Sequence, residues 1–257
     1  MFPLKDNLPN RDIPIVTILL IAANVIVYLF LQPKSGIDLG GGSLDEGRLL
    51  HYAAVPYEVT HPGQHCAVVG GGSHIACGKG VGDGGFATPV TLLTAMFSHA
   101  GLLHLGGNML FLWIFGANVE DSMGKVRYLL FYVLGGLAAA AGQIAVAPDA
   151  IVPTLGASGA VAAVLGGYLL LYPRAKVVTV VFLVLFFTII EVPAIVFLGI
   201  WFGQQLLFGA LDLTDPAGSG GGVAYFAHVG GFAFGLLAIT LFATRRSEYA
   251  PSRGLAA

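Results

Sequence analysis

Two short motifs hold side chains that could react with a carbonyl group. Ser158 lies in a Gly-Ala-Ser-Gly motif at 156–159 that opens an apolar stretch, and His228 lies in Ala-His-Val-Gly-Gly at 227–231. A serine at a helix start is close to unpaired backbone N–H groups, which could stabilise a developing oxyanion. A histidine inside an apolar stretch is costly and could serve as a general base. Taken alone, the first motif is also compatible with helix packing, and the second with a structural hydrogen bond.

A third motif, at 97–108, supplies hydrogen-bond donors. His104 and Asn108 are four residues apart, so they share one face of a helix, and both side chains can donate. They could lie at the same depth as Ser158 if their helix enters the membrane from the same side as the helix that carries Ser158. His99 lies just upstream, and we expect it to have a structural role such as capping the loop backbone.

The elements that must position these residues lie in a membrane. Of the 257 residues, 56% are hydrophobic and 10% are charged, whereas a soluble domain carries about 25% charged residues. Six apolar segments approach the roughly 20 residues that a span requires, and only helices fit their pattern. The predicted fold is an all-α bundle of six transmembrane helices, at Ile13–Leu31, Leu103–Val119, Tyr128–Ala147, Gly156–Tyr172, Ala194–Leu211 and Ala224–Ala243.

The basic residues indicate how this bundle is oriented. Val177–Ile190 is apolar but short, so we expect an interfacial or re-entrant segment there instead of a seventh span. With six spans, most of the 12 Lys and Arg residues fall on one side, which the positive-inside rule assigns to the cytoplasm. The predicted division is a cytoplasmic N-terminus (1–12), a first helix (13–31), an external Gly-rich loop (32–91), a five-helix core (92–243) and a cytoplasmic tail (244–257).

The external loop holds both cysteines and four of the seven histidines. Because an external loop favours oxidation, we expect a disulfide between Cys66 and Cys77. A zinc site in the stretch 61–77 is the alternative, although its ligand spacing matches no strong pattern.

Small residues recur every four positions on the fourth and sixth predicted helices. Such faces let helices approach closely within a membrane. If these two pack together, the serine and the histidine of the first two motifs come close, because both helices run in the same direction. The faces consist of Gly159, Ala163 and Gly167 on one helix, and of Ala227, Gly231 and Gly235 on the other.

Taken together and in this order, the motifs resemble those of the rhomboid family of intramembrane serine proteases, in particular its bacterial members. The resemblance covers about 92–243 and also includes the stretches 116–121 and 191–194. It implies a dyad of Ser158 and His228 without a carboxylate, and an oxyanion hole made by His104, Asn108 and the backbone N–H of Ser158. Supporting roles are implied for the remaining residues of the motifs, which are Gly156, Gly159, His99 and Gly231.

Two features of the family pattern are missing from this chain. Such proteases often carry a Trp-Arg pair before the second helix, where this chain has Val90 and Thr91. An aromatic ring from the fourth helix often stacks on the base, whereas this chain has Ala162 there. We expect Tyr225 or Phe226 to orient the base instead.

The resemblance also implies an activity. It is the hydrolysis of a peptide bond in or near the transmembrane segment of single-span membrane proteins, within the lipid bilayer, with no metal, organic cofactor or nucleic acid. The expected location is the plasma membrane of a bacterium, as a multi-pass protein. The alternative is an inactive rhomboid-like protein that binds membrane helices, although such a protein would usually have lost the serine or the histidine. A membrane metalloprotease is disfavoured because the chain has no HExxH motif.

Overall fold

The computed structural model describes residues 1–32, 39, 46–70, 74–82, 85–183, 186–214 and 223–244. The elements in these ranges are, in chain order, β1 (Phe2–Asp6), α1 (Ile15–Ile26), α2 (Glu46–Leu49), α3 (Pro56–Thr60), β2 (His65–Val69), β3 (His74–Gly78), α4 (Thr88–Thr94), α5 (Leu102–Phe111), α6 (Ala117–Met123), α7 (Lys125–Val146), α8 (Ser158–Leu171), β4 (Lys176–Leu183), β5 (Phe186–Pro193), α9 (Ala194–Asp212) and α10 (Tyr225–Phe242). Helical turns with π geometry extend α1 over Val27–Leu31 and join α5 to α6 over Leu112–Gly116. The predicted tail lies outside the described residues from position 245 onward.

Helices occupy all of the apolar segments that were predicted to span the membrane. Four of them are long and apolar enough to cross it: Leu102–Met123, which is α5 and α6 together, and α7, α9 and α10. The other two are shorter: α1 with its π turn covers Ile15–Leu31, and α8 has 14 residues. The chain is therefore a mainly helical membrane protein.

Helix α8 is the centre of the bundle. Its side chains from Ala160 to Tyr168 are buried, and it packs chiefly against α10 and α7. The predicted contact between two faces of small residues is confirmed, because a Cβ atom at Gly231 or Gly235 would overlap the carbonyl oxygens of Gly159 and Ala163. These glycines let α8 and α10 approach backbone to backbone, which brings the starts of the two helices together.

The prediction of an all-helical chain is wrong at the segment 177–190. This segment belongs to an antiparallel hairpin of β4 and β5, and β1 adds a third strand to give the sheet order β1-β4-β5. Its residues are mostly β-branched or aromatic, which suits a pleated strand. A short, continuous apolar run lacks the periodicity that would distinguish a strand from a buried helix.

Glu120 lies in α6 and contacts the start of α1. The helix continues to Met123, and Glu120 is buried with 3% of its surface exposed. Its carboxylate accepts hydrogen bonds from the backbone N–H of Val16 (3.0 Å) and from the N–H and Oγ1 of Thr17 (both 2.8 Å). The carboxylate thus satisfies the first free N–H groups of α1, as acidic groups at helix starts do.

The predicted external loop contains α2, α3 and the hairpin of β2 and β3, while 33–38, 40–45, 71–73 and 83–84 lie outside the described residues. Cys66 and Cys77 face each other in the hairpin and are joined by a disulfide, so neither thiol is available as a zinc ligand. Ala54 exchanges two backbone hydrogen bonds with Thr154 (3.0 and 2.8 Å). The loop therefore supports the segment that leads into Ser158.

Candidate active site

Ser158 and His228 lie at the starts of α8 and α10 and are in direct contact. Ser158 is the first residue of α8, and His228 lies in the first turn of α10. The distance between Ser158 Oγ and His228 Nε2 is 2.8 Å, which is a hydrogen bond. Both side chains are half-buried. The structure thus brings together the two residues that the sequence predicts as nucleophile and base.

The ring of His228 is held from α9. Its Nδ1 lies 2.7 Å from Gln205 Oε1, and the indole of Trp201 lies beside the imidazole with ring centroids 5.9 Å apart. The aromatic ring beside His228 is therefore that of Trp201 and not, as expected, that of Tyr225 or Phe226. The ring of Tyr225 packs against Phe208, and the ring of Phe226 lies near Gly209.

The predicted donors His104 and Asn108 face the same space as Ser158. His104 Nδ1 accepts the backbone N–H of Ala100 at 3.3 Å, so in the neutral ring Nε2 carries the proton and can donate. Asn108 is 7% exposed, and its Nδ2 has no hydrogen-bond partner within the described part of the chain. The backbone N–H of Ser158, in the first turn of α8, has no intrahelical acceptor. These groups could together bind an oxygen anion.

His99 is buried behind the nucleophile. Its Nε2 accepts a long hydrogen bond, of 3.5 Å, from the backbone N–H of Ala157. Burial lowers the pKa of His99 to about 3, with a smaller contribution from nearby His104, so the ring is neutral and able to accept. The side chain of Gln32 clamps the backbone of His99 through bonds of 2.7 and 2.8 Å. His99 thus contacts the backbone of the segment that leads into Ser158, and its structural role stays a prediction.

Gly156 allows the chain to turn into α8. Its φ angle is +121°, a conformation that residues with a Cβ atom rarely adopt. Its N–H donates to the carbonyl of Ala95 at 2.8 Å, which fixes the turn to the preceding segment.

A cavity of about 510 Å³ opens onto these groups. Polar atoms line one part, and apolar side chains line the remainder, including Phe111, Val161, Leu165 and Trp201. The cavity lies between α5, α8 and α9, where Leu103 on α5 is 70% exposed toward the surroundings of the bundle. It is large enough for several residues of an extended peptide.

Sequence reasoning missed three residues around this site, namely Gln205, Trp201 and Gln32. A polar side chain inside an apolar span is a signal of function, and Gln205 carries that signal. Its neighbour Gln204 has the same side chain but is exposed, and the sequence alone does not tell which of the two faces inward. For Trp201 and Gln32 the sequence offers no comparable signal.

Comparison with known proteins decides the family. The family model described as "Rhomboid domain" matches residues 87–245, which is more than half of the chain. The chain belongs to the rhomboid family. The match covers α5 through α10 and both halves of the Ser158–His228 pair.

Relatives of this rhomboid protein come from eukaryotes and bacteria. It is 34% identical over 155 residues to "Rhomboid protein 1, mitochondrial" of Saccharomyces cerevisiae, over 58% of this chain and 40% of that protein. It is 29% identical over 155 residues to "Presenilin-associated rhomboid-like protein, mitochondrial" of Mus musculus, over 58% and 37%. It is 38% identical over 78 residues to "Rhomboid protease GluP" of Bacillus subtilis, over 30% and 15%. The chain thus matches well under half the length of each.

These relatives correct one expectation. The Saccharomyces and Mus proteins are mitochondrial by name, which contradicts the predicted location in a bacterial plasma membrane. The error has a physical reason, because hydropathy and the bias of basic residues indicate that a chain spans a membrane and with which orientation, but not which membrane it is. The multi-pass membrane character of this rhomboid protein stands.

Proposed function

We propose that this rhomboid protein is an intramembrane serine endopeptidase that cuts single-span membrane proteins in or near their transmembrane segment. The observation that carries the proposal is the 2.8 Å hydrogen bond between Ser158 Oγ and His228 Nε2 at the wall of an open cavity. A serine bonded to a neutral imidazole nitrogen is the arrangement that activates a hydroxyl for attack.

The reaction begins with acylation of Ser158. His228 Nε2 takes the hydroxyl proton while Oγ forms a bond to the carbonyl carbon, and the carbonyl π electrons move onto oxygen. When the tetrahedral intermediate collapses, the C–N bond breaks and His228 delivers its proton to the leaving amine. In the second half His228 takes a proton from water, the hydroxide forms the acid, and the ester bond breaks with the proton returning to Ser158.

The negative oxygen of each intermediate is stabilised by donors that are already in position. Asn108 Nδ2, His104 Nε2–H and the Ser158 N–H are assigned to this oxygen, and donors that are fixed before the reaction stabilise the developing charge without reorganising. A helical peptide bond is closed to attack, so the substrate must unwind locally. We assign its approach to the lipid-facing side of the cavity, beside α9.

We further propose that all six helices cross or nearly cross the membrane. The polar donors of α5 and the starts of α8 and α10 then lie toward one side, and the sheet of β1, β4 and β5 lies toward the other. An even number of crossings would put the start of the first helix and the end of the sixth on that second side, together with most of the basic residues in the described part of the chain.

The test is cleavage by the purified protein in detergent. Wild type, Ser158→Ala, His228→Ala and His74→Ala, an exposed histidine on β3 that serves as matched control, are incubated with a single-span substrate carrying small residues near one membrane boundary. We expect cleavage by wild type and His74→Ala and none by the other two, with the mass of the products locating the cut.

A serine-reactive phosphonate probe provides a second readout that does not depend on the chosen substrate. Labelling that requires both Ser158 and His228 supports the proposal. Equal cleavage by wild type and Ser158→Ala rejects it, and absence of both cleavage and labelling favours a rhomboid-like protein that binds membrane helices without cutting them.

A further inference from the structure

We propose that Gln205 is a positioning residue for the general base, because its side-chain amide holds His228 in the tautomer that can accept the proton of Ser158. The inference rests on the proposed function and adds a third member to the Ser158–His228 pair. This member comes from α9, whereas the pair comes from α8 and α10.

The hydrogen bonds around Gln205 fix the direction of its amide. Gln205 Nε2 lies 3.4 Å from the carbonyl oxygen of Trp201, one turn earlier on α9. A carbonyl oxygen can only accept, so the amide nitrogen belongs at this position and Oε1 faces His228. The distance of 2.7 Å from Oε1 to His228 Nδ1 is that of a short hydrogen bond.

This direction determines where the proton of the imidazole resides. An amide oxygen only accepts, so Nδ1 of His228 must carry the ring proton. A neutral imidazole has one N–H, and Nε2 is therefore left with a lone pair, 2.8 Å from Ser158 Oγ. In the other tautomer Nε2–H would point at Ser158 and could not take its proton.

A carboxylate performs this task in a serine-protease triad, where it also stabilises the imidazolium through its charge. An amide supplies the orientation without the charge. Gln205 is only 9% exposed and lies within an apolar helix, where an ionised carboxylate would be costly to bury. The neutral glutamine thus supplies the orienting hydrogen bond of a triad in an environment that disfavours a charged carboxylate.

The neighbouring residue provides a matched control. Gln204 has the same side chain on the same helix but is exposed on the outer face of α9. Replacing either glutamine by leucine removes one amide at nearly constant volume, and only Gln205→Leu removes the bond to His228.

The direct test reads the tautomer by nitrogen NMR. Full-length protein is labelled with ¹⁵N in its histidine rings, and the His228 signals are identified as those lost in His228→Ala. We expect a protonated Nδ1 and an unprotonated Nε2 in wild type and Gln204→Leu, and a shift toward protonated Nε2 in Gln205→Leu. A protonated Nε2 in wild type, or an unchanged spectrum in Gln205→Leu, overturns the proposal whether or not the protein cleaves any substrate.

Kinetics supply the functional readout. We expect Gln205→Leu to lower kcat about 10²-fold with little change in KM, since a general base contributes about 10²–10⁴-fold. Gln205→Glu keeps an acceptor oxygen at the same position, so it should retain more activity than Gln205→Leu. Unchanged kcat in Gln205→Leu rejects the role of Gln205 alone, whereas absence of cleavage and probe labelling in wild type rejects the proposed function.

Discussion

Gly156 and His104 are so close that a side chain at position 156 would displace the imidazole. A Cβ atom there would lie 2.7 Å from His104 Cε1 and 2.8 Å from Nε2. Glycine at 156 is therefore required twice, once for its φ angle of +121° and once for the space that an assigned oxyanion donor occupies.

We accordingly expect Gly156→Ala to lower kcat by about 10²-fold or more, which is the cost of losing one oxyanion donor. Gly124→Ala is the control, because Gly124 also has a positive φ angle, of +79°, but a Cβ atom there meets nothing within 4 Å. The control should lose about 1 kcal/mol of stability or somewhat more, and keep its kcat. Equal kcat in the two variants would contradict the assigned position of His104.

Asn108 should act on the transition state alone. Its Nδ2 is buried and has no partner in the described part of the chain, so the free protein gains little from it. We expect Asn108→Ala to lower kcat about 10²–10³-fold with nearly unchanged KM and melting temperature. Gly106→Ala, on the same helix in open space, serves as control for the backbone. A raised KM with normal kcat would assign Asn108 to substrate binding.

The contact between α8 and α10 should be intolerant of even one methyl group. A Cβ atom at Gly235 would overlap the carbonyl oxygen of Ala163, whereas one at Gly203 on α9 would meet nothing within 4 Å. We expect Gly235→Ala to lose about 1–3 kcal/mol of stability by overpacking and to separate Ser158 from His228. Gly203→Ala should be neutral or slightly stabilising. Thermal unfolding in detergent and cleavage rates measure both effects.

Glu120 should contribute to stability and not to chemistry. Its three hydrogen bonds hold the start of α1, and bonds to a charged group contribute about 1.5–3 kcal/mol each. We expect Glu120→Ala to lower the melting temperature clearly. The neighbouring Asp121→Ala should change it little, because within the described part of the chain the hydrogen bond of that carboxylate is a long one, of 3.4 Å, from the backbone N–H of exposed Arg11. Similar losses in both variants would indicate a general charge effect at this turn.

The sequence predicts the helices and the reacting pair because strong local signals mark both. Long apolar runs identify the spans, and small residues every four positions on two of them correctly indicate that α8 and α10 pack together. The packing of these two helices is sufficient to predict that Ser158 and His228 lie close together. The roles of the eight motif residues stay predictions until the variants are measured.

Other features could not be predicted because they depend on tertiary contacts. β1 pairs with β4 of the hairpin from some 170 residues away in the chain, and the local pattern of 177–190 does not indicate this pairing. The burial of Glu120 depends on the packing of α1 against it, which the local sequence does not indicate. Whether Gln204 or Gln205 reaches His228 depends on the rotation of α9, which is apolar over most of its surface and so carries little rotational signal.

The shortness of α8 fixes how deep in the membrane a bond would be cut. Its 14 residues rise about 21 Å, whereas the hydrocarbon core of a bilayer is about 30 Å thick. If the sheet lies at one membrane surface, as proposed above, Ser158 lies only part of the way to the opposite surface. The length of α8 would therefore set the position of the cut. One added turn would raise the hydroxyl by about 5 Å and move the cut about one helical turn along the substrate.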